Sequence, residues 1–80
     1  MSYRAELHSF ASAQMKGLPF EAIQALAART AELIEEPWDA VAVYPDDPSF
    51  RRTVFGEFGV VSFHLDDKAE VILIYGVWAG

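Results

Sequence analysis

The stretch that decides the fold runs from Phe50-Arg51-Arg52-Thr53-Val54-Phe55-Gly56 to Val71-Ile72-Leu73-Ile74-Tyr75-Gly76-Val77-Trp78. It is rich in β-branched and aromatic side chains, which favour strands over helices. Arg51 to Phe55 and Val60 to Leu65 flank Gly56-Glu57-Phe58-Gly59, a glycine-bounded turn that is typical of a hairpin. We therefore predict two antiparallel strands over these residues.

A third strand is predicted from Glu70 to Trp78, after the turn residues Asp66-Asp67-Lys68. Simple alternation places Val71, Leu73, Tyr75 and Val77 on one face, and Ile72, Ile74 and Trp78 on the other. Because both faces are apolar, we expect helices over one face and another group, such as a partner protein, over the second.

The first half of the chain predicts one strand followed by two helices. Alternation in residues 2–8 predicts a strand, Ser9 is expected to cap a short helix through Lys16, and Gly17 is expected to end it in the left-handed conformation. A second helix is predicted from Pro19 to Glu36, and Pro37 ends it. Residues 37–49 are predicted to be a connection. The fold class is α+β: an N-terminal strand, a two-helix hairpin and a three-stranded antiparallel meander.

Composition narrows the class of protein. Eighty residues predict a single domain, and the absence of cysteine is typical of a reducing, cytoplasmic environment. The formal charge of −6 argues against nonspecific nucleic-acid binding and favours a basic partner segment. No apolar run approaches the ~20 residues that a membrane span requires, so no membrane association is expected.

With these elements in order, the chain resembles the RelE/ParE superfamily of bacterial type II toxins over nearly its whole length. The residues that carry this resemblance are Leu18-Pro19, Glu36-Pro37-Trp38, Phe50-Arg51-Arg52, Gly59-Val60-Val61-Ser62-Phe63 and Asp66-Asp67. The tail Val77-Trp78-Ala79-Gly80 is similar to that of small actinobacterial members. The resemblance implies a toxin that an antitoxin neutralises, and whose target is either messenger RNA at the ribosome or DNA gyrase.

The RNA-cleaving branch of this family uses basic and aromatic side chains on the sheet, because cleavage needs a neutralised phosphate and a proton for the leaving oxygen. Arg52 matches one basic position, but Val54 and Val61 stand where the resemblance implies further basic residues. A C-terminal basic residue and tyrosine would lie beyond Gly80, so we expect their roles to be unfilled unless His64 or Tyr75 substitutes.

The candidate site residues are Arg51, Arg52, His64 and Tyr75, and the first three also have ordinary structural interpretations. Arg51 and Arg52 project from opposite strand faces, so only one can face a site, either as a phosphate or carboxylate clamp or as a surface ion-pair partner. His64 is a candidate general acid or base, or else an ordinary sheet histidine.

Other conspicuous residues predict no catalytic chemistry. Asp46-Asp47 and Asp66-Asp67 are interpreted as turn residues whose side chains bond the local backbone, so no metal and no cofactor is predicted. Trp78 is an interface candidate, and the apolar second face of the sheet is consistent with a homodimer when no antitoxin is bound.

These observations lead to one principal hypothesis and two alternatives. The principal hypothesis is a toxin of the RelE/ParE type that acts mainly by binding, with an eroded catalytic set and an antitoxin as partner. The first alternative is an active ribosome-dependent mRNA interferase that uses Arg51, Arg52, His64 and Tyr75. The second alternative is a non-toxic protein-interaction module on the same scaffold.

Overall fold

The computed structural model of the chain describes residues 3–79, in which two helices precede most of a five-stranded sheet. The elements in chain order are β1 (Arg4–Leu7), α1 (Ser9–Met15), α2 (Phe20–Glu35), β2 (Val41–Tyr44), β3 (Asp47–Phe55), β4 (Gly59–Asp66) and β5 (Val71–Ala79). This is the α+β architecture that the sequence predicts, with one strand more than expected.

The strands lie in the order β1-β5-β4-β3-β2, so β4 is central. Strands β2 to β5 form an antiparallel meander, and β1 adds to the far side of β5 in parallel. The short β1 ends opposite Ile74. Beyond that point helix α1 borders β5, where the Gln14 side-chain oxygen accepts a hydrogen bond from the Val77 amide at 2.8 Å.

Both helices cover one face of the sheet, and the core lies between them and that face. Alanine and leucine side chains of the helices meet the inward side chains of β3, β4 and β5. The buried residues of this cluster are Ala11, Ala22, Leu26, Leu33, Phe55, Val61, Phe63, Leu65, Ile72, Ile74 and Val77. The inward spacing of Ala22, Leu26 and Leu33 on α2 is the helical period that the sequence shows.

The predicted connection over residues 37–49 is wrong in part, because it contains β2 and the start of β3. Val41 to Tyr44 pair with β3 through the tight turn at Pro45-Asp46, and β3 begins at Asp47 rather than at Arg51. The signal was obscured by Pro45 and Pro48. Proline is tolerated here because this pair lies at the sheet edge and has an irregular register between Ala42 and Tyr44.

Two predictions about helix ends also need correction. Ser9 is the first helical residue of α1, and His8 is the cap, because its Nδ1 accepts a hydrogen bond from the Phe10 amide at 3.2 Å. Gly17 does not adopt the left-handed conformation. Among residues 3–79, Gly56 is the only glycine with a positive φ, at 62°. The predicted end of α2 before Pro37 is confirmed.

A β-bulge changes the predicted faces of β5. Ser62 pairs with Gly76 while the next residue, Phe63, pairs with Ile74, so Tyr75 has no partner of its own on β4. One extra residue reverses the alternation that follows it. Val77 therefore joins Ile72 and Ile74 in the core, contrary to the predicted grouping with Leu73 and Tyr75.

Candidate functional site

The face of the sheet turned away from the helices is not covered by any element among residues 3–79, and we call it the open face. Alternation along each strand determines which side chains it carries. They are Phe50, Arg52 and Val54 of β3, Val60, Ser62 and His64 of β4, and Leu73, Tyr75 and Trp78 of β5. Three of the four candidate residues, Arg52, His64 and Tyr75, thus share one surface.

Aromatic rings gather at one end of the open face. The Phe50 ring is the hub: its centroid lies 4.7 Å from that of His64, 5.5 Å from that of Tyr44 and 6.1 Å from that of Tyr75. We call these four residues the aromatic cluster. Tyr75 lies on this face together with Leu73, as simple alternation along β5 predicts, and the edge strand β2 contributes Tyr44. The contribution of Tyr44 was not predicted, because β2 was not.

Arg52 lies beside this cluster, at the middle of β3. It pairs with Ser62 on β4 and with Val41 on β2, and its side chain is exposed. It is a diagonal neighbour of His64, a relationship that places side chains about 7–8 Å apart. Among residues 3–79 the ion pairs join Arg4 to Glu6 and Arg29 to Glu32 and Asp39, and none includes Arg52.

Arg51 is on the helix side of the sheet, where it has a structural role. Its guanidinium donates hydrogen bonds to the carbonyl oxygens of Ala40 at 2.6 Å, Pro48 at 3.0 Å and Trp38 at 3.4 Å. It also lies 5.1 Å from the centroid of the Trp38 ring, which is cation–π distance. Arg51 thus ties the segment before β2 to β3 and does not reach the open face.

Within the aromatic cluster, the surroundings of Tyr75 shift its pKa. Burial raises the pKa of the Tyr75 phenol above its ordinary value of 10.0, and Tyr44 raises it further, while a hydrogen bond with Ser62 opposes the shift. Tyr75 is therefore a protonated phenol at neutral pH, able to donate a proton or a hydrogen bond. His64, 4.7 Å from the Phe50 ring, is the neighbouring group that can accept one.

Asp47 marks the rim of the cluster at the β2–β3 turn. Hydrogen bonds from the Ser49 hydroxyl and the Ser49 amide lower the pKa of this carboxyl below its ordinary value of 3.8, and the charge of His64 lowers it further. Asp47 is thus an anion near His64. Its negative charge works against an approaching phosphate.

Few positive charges are available on the open face. Glu6 projects onto it from β1 and forms an ion pair with Arg4 at 3.1 Å. Asp66, the last residue of β4, also has its side chain on this face. Of the two valines that stand at expected basic positions, Val54 lies on the open face next to Arg52, whereas Val61 is buried in the core. A basic side chain at position 61 would point into the core, so of these two positions only 54 could place a charge on the open face.

A second feature of the open face, which the sequence pattern does not predict, is the packing of Trp78. The indole lies over Gly76, so closely that a Cβ on Gly76 would come within 2.2 Å of the ring. It remains 48% exposed, and Val60 separates it from the exposed Val54. We call Trp78, Gly76, Val60, Val54 and Val41 the Trp78 patch. The sequence feature from which this packing could have been predicted is the glycine two residues before the tryptophan.

The valine side of the Trp78 patch borders a shallow cleft next to Arg52. A cleft of about 290 Å³ is lined by Val41, Arg52, Thr53, Val54 and Val60. The arginine therefore stands at the boundary between an aromatic cluster with polar groups and a mainly apolar cleft.

Two of the four turn aspartates, Asp47 and Asp66, have the local role that the sequence predicts. Asp66 accepts a hydrogen bond from the Ala69 amide at 3.1 Å, and Asp47 accepts one from the Ser49 amide at 3.1 Å. Asp67 accepts a hydrogen bond from the Tyr3 hydroxyl, which fastens the β4–β5 turn to the start of the described chain. These carboxylates are thus engaged in backbone and turn structure.

Comparison with solved structures identifies the fold. The chain superposes on the isolated E. coli RelE toxin with a TM-score of 0.84 at 14% sequence identity, over 99% of this chain and 85% of RelE. The same TM-score is found for a RelE variant with two arginine-to-alanine substitutions, bound to a peptide of the antitoxin RelB, at 14% identity over 100% and 85% of the two chains. The free form of this variant matches equally well, at 15% identity over 99% and 84%.

No protein-family model and no curated protein sequence matches the chain. The likeness therefore rests on three-dimensional structure, and at this level of identity it establishes the RelE fold. In the part of the chain that the structure describes, neither helix has the length and apolar character needed to cross a membrane.

Proposed function

We propose that this chain, which has the fold of the RelE toxin, is the toxin of a bacterial toxin–antitoxin pair and acts mainly by binding its target through the open face. The observation that carries the proposal is the isolation of Arg52. It is exposed and free of ion pairs with residues 3–79, and its neighbour on the same strand face is Val54.

Charge explains why binding is favoured over cleavage. A phosphoryl transition state gains most from several cations aimed at its oxygens. Here the open face offers Arg52, while Arg4 is already paired with Glu6 and Arg51 lies on the other side of the sheet. With Asp66 on the same face and Asp47 at its rim, the surface is a poor phosphate cradle, whereas its exposed apolar side chains suit a protein.

An antitoxin is the natural partner in this proposal. The similar RelE structure is in complex with a RelB antitoxin peptide, which supports a peptide-binding role for a protein of this fold. The cellular target of the toxin would be a protein surface at the ribosome or on DNA gyrase. Action in the cytoplasm follows from either target.

Growth after tightly induced expression in a bacterial host tests the proposal. Wild type is expected to arrest growth, and Arg52→Glu to relieve the arrest because it removes the exposed cation. Lys68→Glu is the matched control, since it makes the same change of charge in the β4–β5 turn. Leu26→Asp, in the core, shows the effect of unfolding. Equal growth of wild type and Leu26→Asp, with wild type shown to be folded, would favour the non-toxic interaction module.

One specific observation keeps the mRNA interferase as a second candidate: Arg52, His64 and Tyr75 share a face, next to the Phe50 ring. Arg52 would neutralise the phosphate, His64 would accept the proton of the ribose 2′-hydroxyl that attacks the phosphorus, and the protonated Tyr75 would donate a proton to the leaving oxygen. Cleavage of ribosome-bound messenger by the purified chain, lost in both His64→Ala and Tyr75→Phe, would establish this mechanism. No cleavage by wild type under conditions where it arrests growth would exclude it.

A further inference from the structure

We infer that the Trp78 patch and Arg52 together form a docking site for an acidic, apolar segment of a second protein, and, resting on the proposed function, that this segment belongs to the antitoxin. The segment would place an apolar side chain on the Trp78 indole and a carboxylate on the Arg52 guanidinium.

The first argument is the way in which the indole is presented. Trp78 lies against Gly76, which leaves the ring lying along the sheet instead of standing away from it. The ring is 48% exposed, so half of a large apolar surface is in contact with solvent. Large aromatic side chains that lie in this way supply much of the binding energy at protein interfaces.

The second argument is the apolar surface around it. Val54 is 59% exposed and Val41 is 66% exposed, and both line the cleft of about 290 Å³ next to Arg52. The register Trp78↔Val60↔Val54 makes the surface continuous across three strands. Exposed valines on neighbouring strands are costly in a free protein, and covering them with apolar side chains is favourable.

The third argument is charge, and it determines the chemistry of the occupant. A segment that covers Val41 and Val54 also removes water from Arg52, which forms no ion pair with residues 3–79. An arginine that has lost its water needs an anion nearby. A carboxylate fits the planar guanidinium because it can accept two parallel hydrogen bonds from it. The segment must therefore carry an aspartate or glutamate next to its apolar anchor. At this site the local charge of Arg52 replaces the expectation of a basic partner segment, which was based on the net charge of −6.

Nucleic acid fits this surface less well than protein. The stacking surface of Trp78 would suit a base, but single-strand binding also needs a basic track for successive phosphates. Arg52 is the unpaired arginine of the open face, and its neighbours toward Trp78 are valines. One cation among apolar side chains matches a single carboxylate and not a phosphate backbone.

The test uses a display library of randomised twelve-residue peptides selected on the folded full chain. The selected peptides are expected to combine an acidic residue with an aromatic or branched aliphatic one. Binding of the best synthetic peptide should move the indole NMR signal of Trp78, identified with Trp78→Phe. Arg52→Glu should weaken binding at least tenfold, and Lys68→Glu, the control with the same charge change, should weaken it less than twofold.

A charge swap completes the test. Replacing the carboxylate of the peptide by lysine should restore binding to Arg52→Glu and abolish binding to wild type. Three outcomes would overturn the inference: no peptide is selected, the peptides bind without moving the Trp78 signal, or Arg52→Glu and Lys68→Glu bind equally. Tighter binding of a ten-nucleotide uridine RNA than of any peptide, with Trp78 and Arg52 required, would also overturn it in favour of nucleic acid.

This experiment is separate from growth arrest. Peptide binding that obeys the charge swap, in a chain that does not arrest growth, would support the docking site and refute the toxin. Growth arrest that needs Arg52, in a chain for which no peptide is selected, would support the toxin and refute the docking site.

Discussion

Arg51 and Arg52 are adjacent in the sequence and lie on opposite faces of β3 with different environments. The Arg51 guanidinium donates to three backbone carbonyls and lies over the Trp38 ring, whereas Arg52 is exposed on the open face without an ion pair to residues 3–79. A strand reverses its side chains at each step, so two identical neighbours acquire different roles. One of them supports the fold, and the other is available to a partner.

We expect alanine substitutions at these two positions to differ in their effect on stability. Arg51→Ala leaves the carbonyls of Ala40 and Pro48 without their charged donor, which should lower the free energy of unfolding by about 2 kcal/mol. Arg52→Ala should change it by less than about 0.5 kcal/mol, as is usual at exposed sites without such partners. Urea denaturation of both variants measures the difference. Equal losses would show that Arg52 is also structural.

We expect Gly76→Ala to displace the indole of Trp78. The new methyl group would lie within 2.2 Å of the ring, which must swing away from the sheet. The loss of stability should be about 1 kcal/mol, because the ring is at the surface and can move. The added cost should vanish in a Trp78→Ala background, since nothing then occupies the space. A double-mutant cycle by denaturation checks this, and additive effects would contradict the described contact.

Gly59→Ala provides a comparison with Gly76→Ala, because the new methyl group would meet backbone atoms that cannot move aside. A Cβ at Gly59 would lie 2.0 Å from the backbone carbonyl oxygen of Trp78, so Gly59→Ala requires the β4 and β5 backbones to separate. We expect a loss of about 3 kcal/mol, well above that for Gly76→Ala. In this case Trp78→Ala should give no relief, because the clash involves the backbone. Thermal denaturation of the single and double variants distinguishes the two glycines.

Tyr75 leads to a prediction about pH. Burial raises its pKa in the folded state above the ordinary 10.0, so the neutral phenol is favoured by folding. The stability that this contributes is complete below pH 10 and is lost as the pH rises through the folded pKa. Tyr75→Phe should therefore flatten part of the decline in stability above pH 10. Denaturation midpoints from pH 8 to 11.5 measure it, and parallel curves for wild type and variant would contradict the shift.

The sequence was sufficient to predict the fold class, the second helix with its end before Pro37, and the turn between β3 and β4, because those signals are local. It did not reveal β2, since Pro45 and Pro48 bracket the tight turn that pairs Tyr44 with Asp47. Pairing between strands stabilises β2, and no pattern within residues 37–49 encodes it.

The composition of the site was predictable only in part. Alternation separates Arg52 from Arg51, but it does not show which residues of neighbouring strands meet, because the pairing register is a property of two strands together. The bulge at Tyr75, opposite Ser62 and Phe63, is such a feature. The same bulge moves Val77 into the core and Trp78 onto the open face. The contact of the indole with Gly76 depends on this bulge, so the Trp78 patch could be described only from the structure.

The most direct test of binding without cleavage is growth arrest by a chain that lacks both proton-transfer groups of the aromatic cluster. Induced expression of wild type, of His64→Ala/Tyr75→Phe and of Arg52→Glu is compared at matched levels of folded protein. The account predicts that the double variant arrests growth as wild type does and that Arg52→Glu does not. Normal growth of cells that express the folded double variant, alongside arrest by wild type, would contradict it and identify a catalytic toxin.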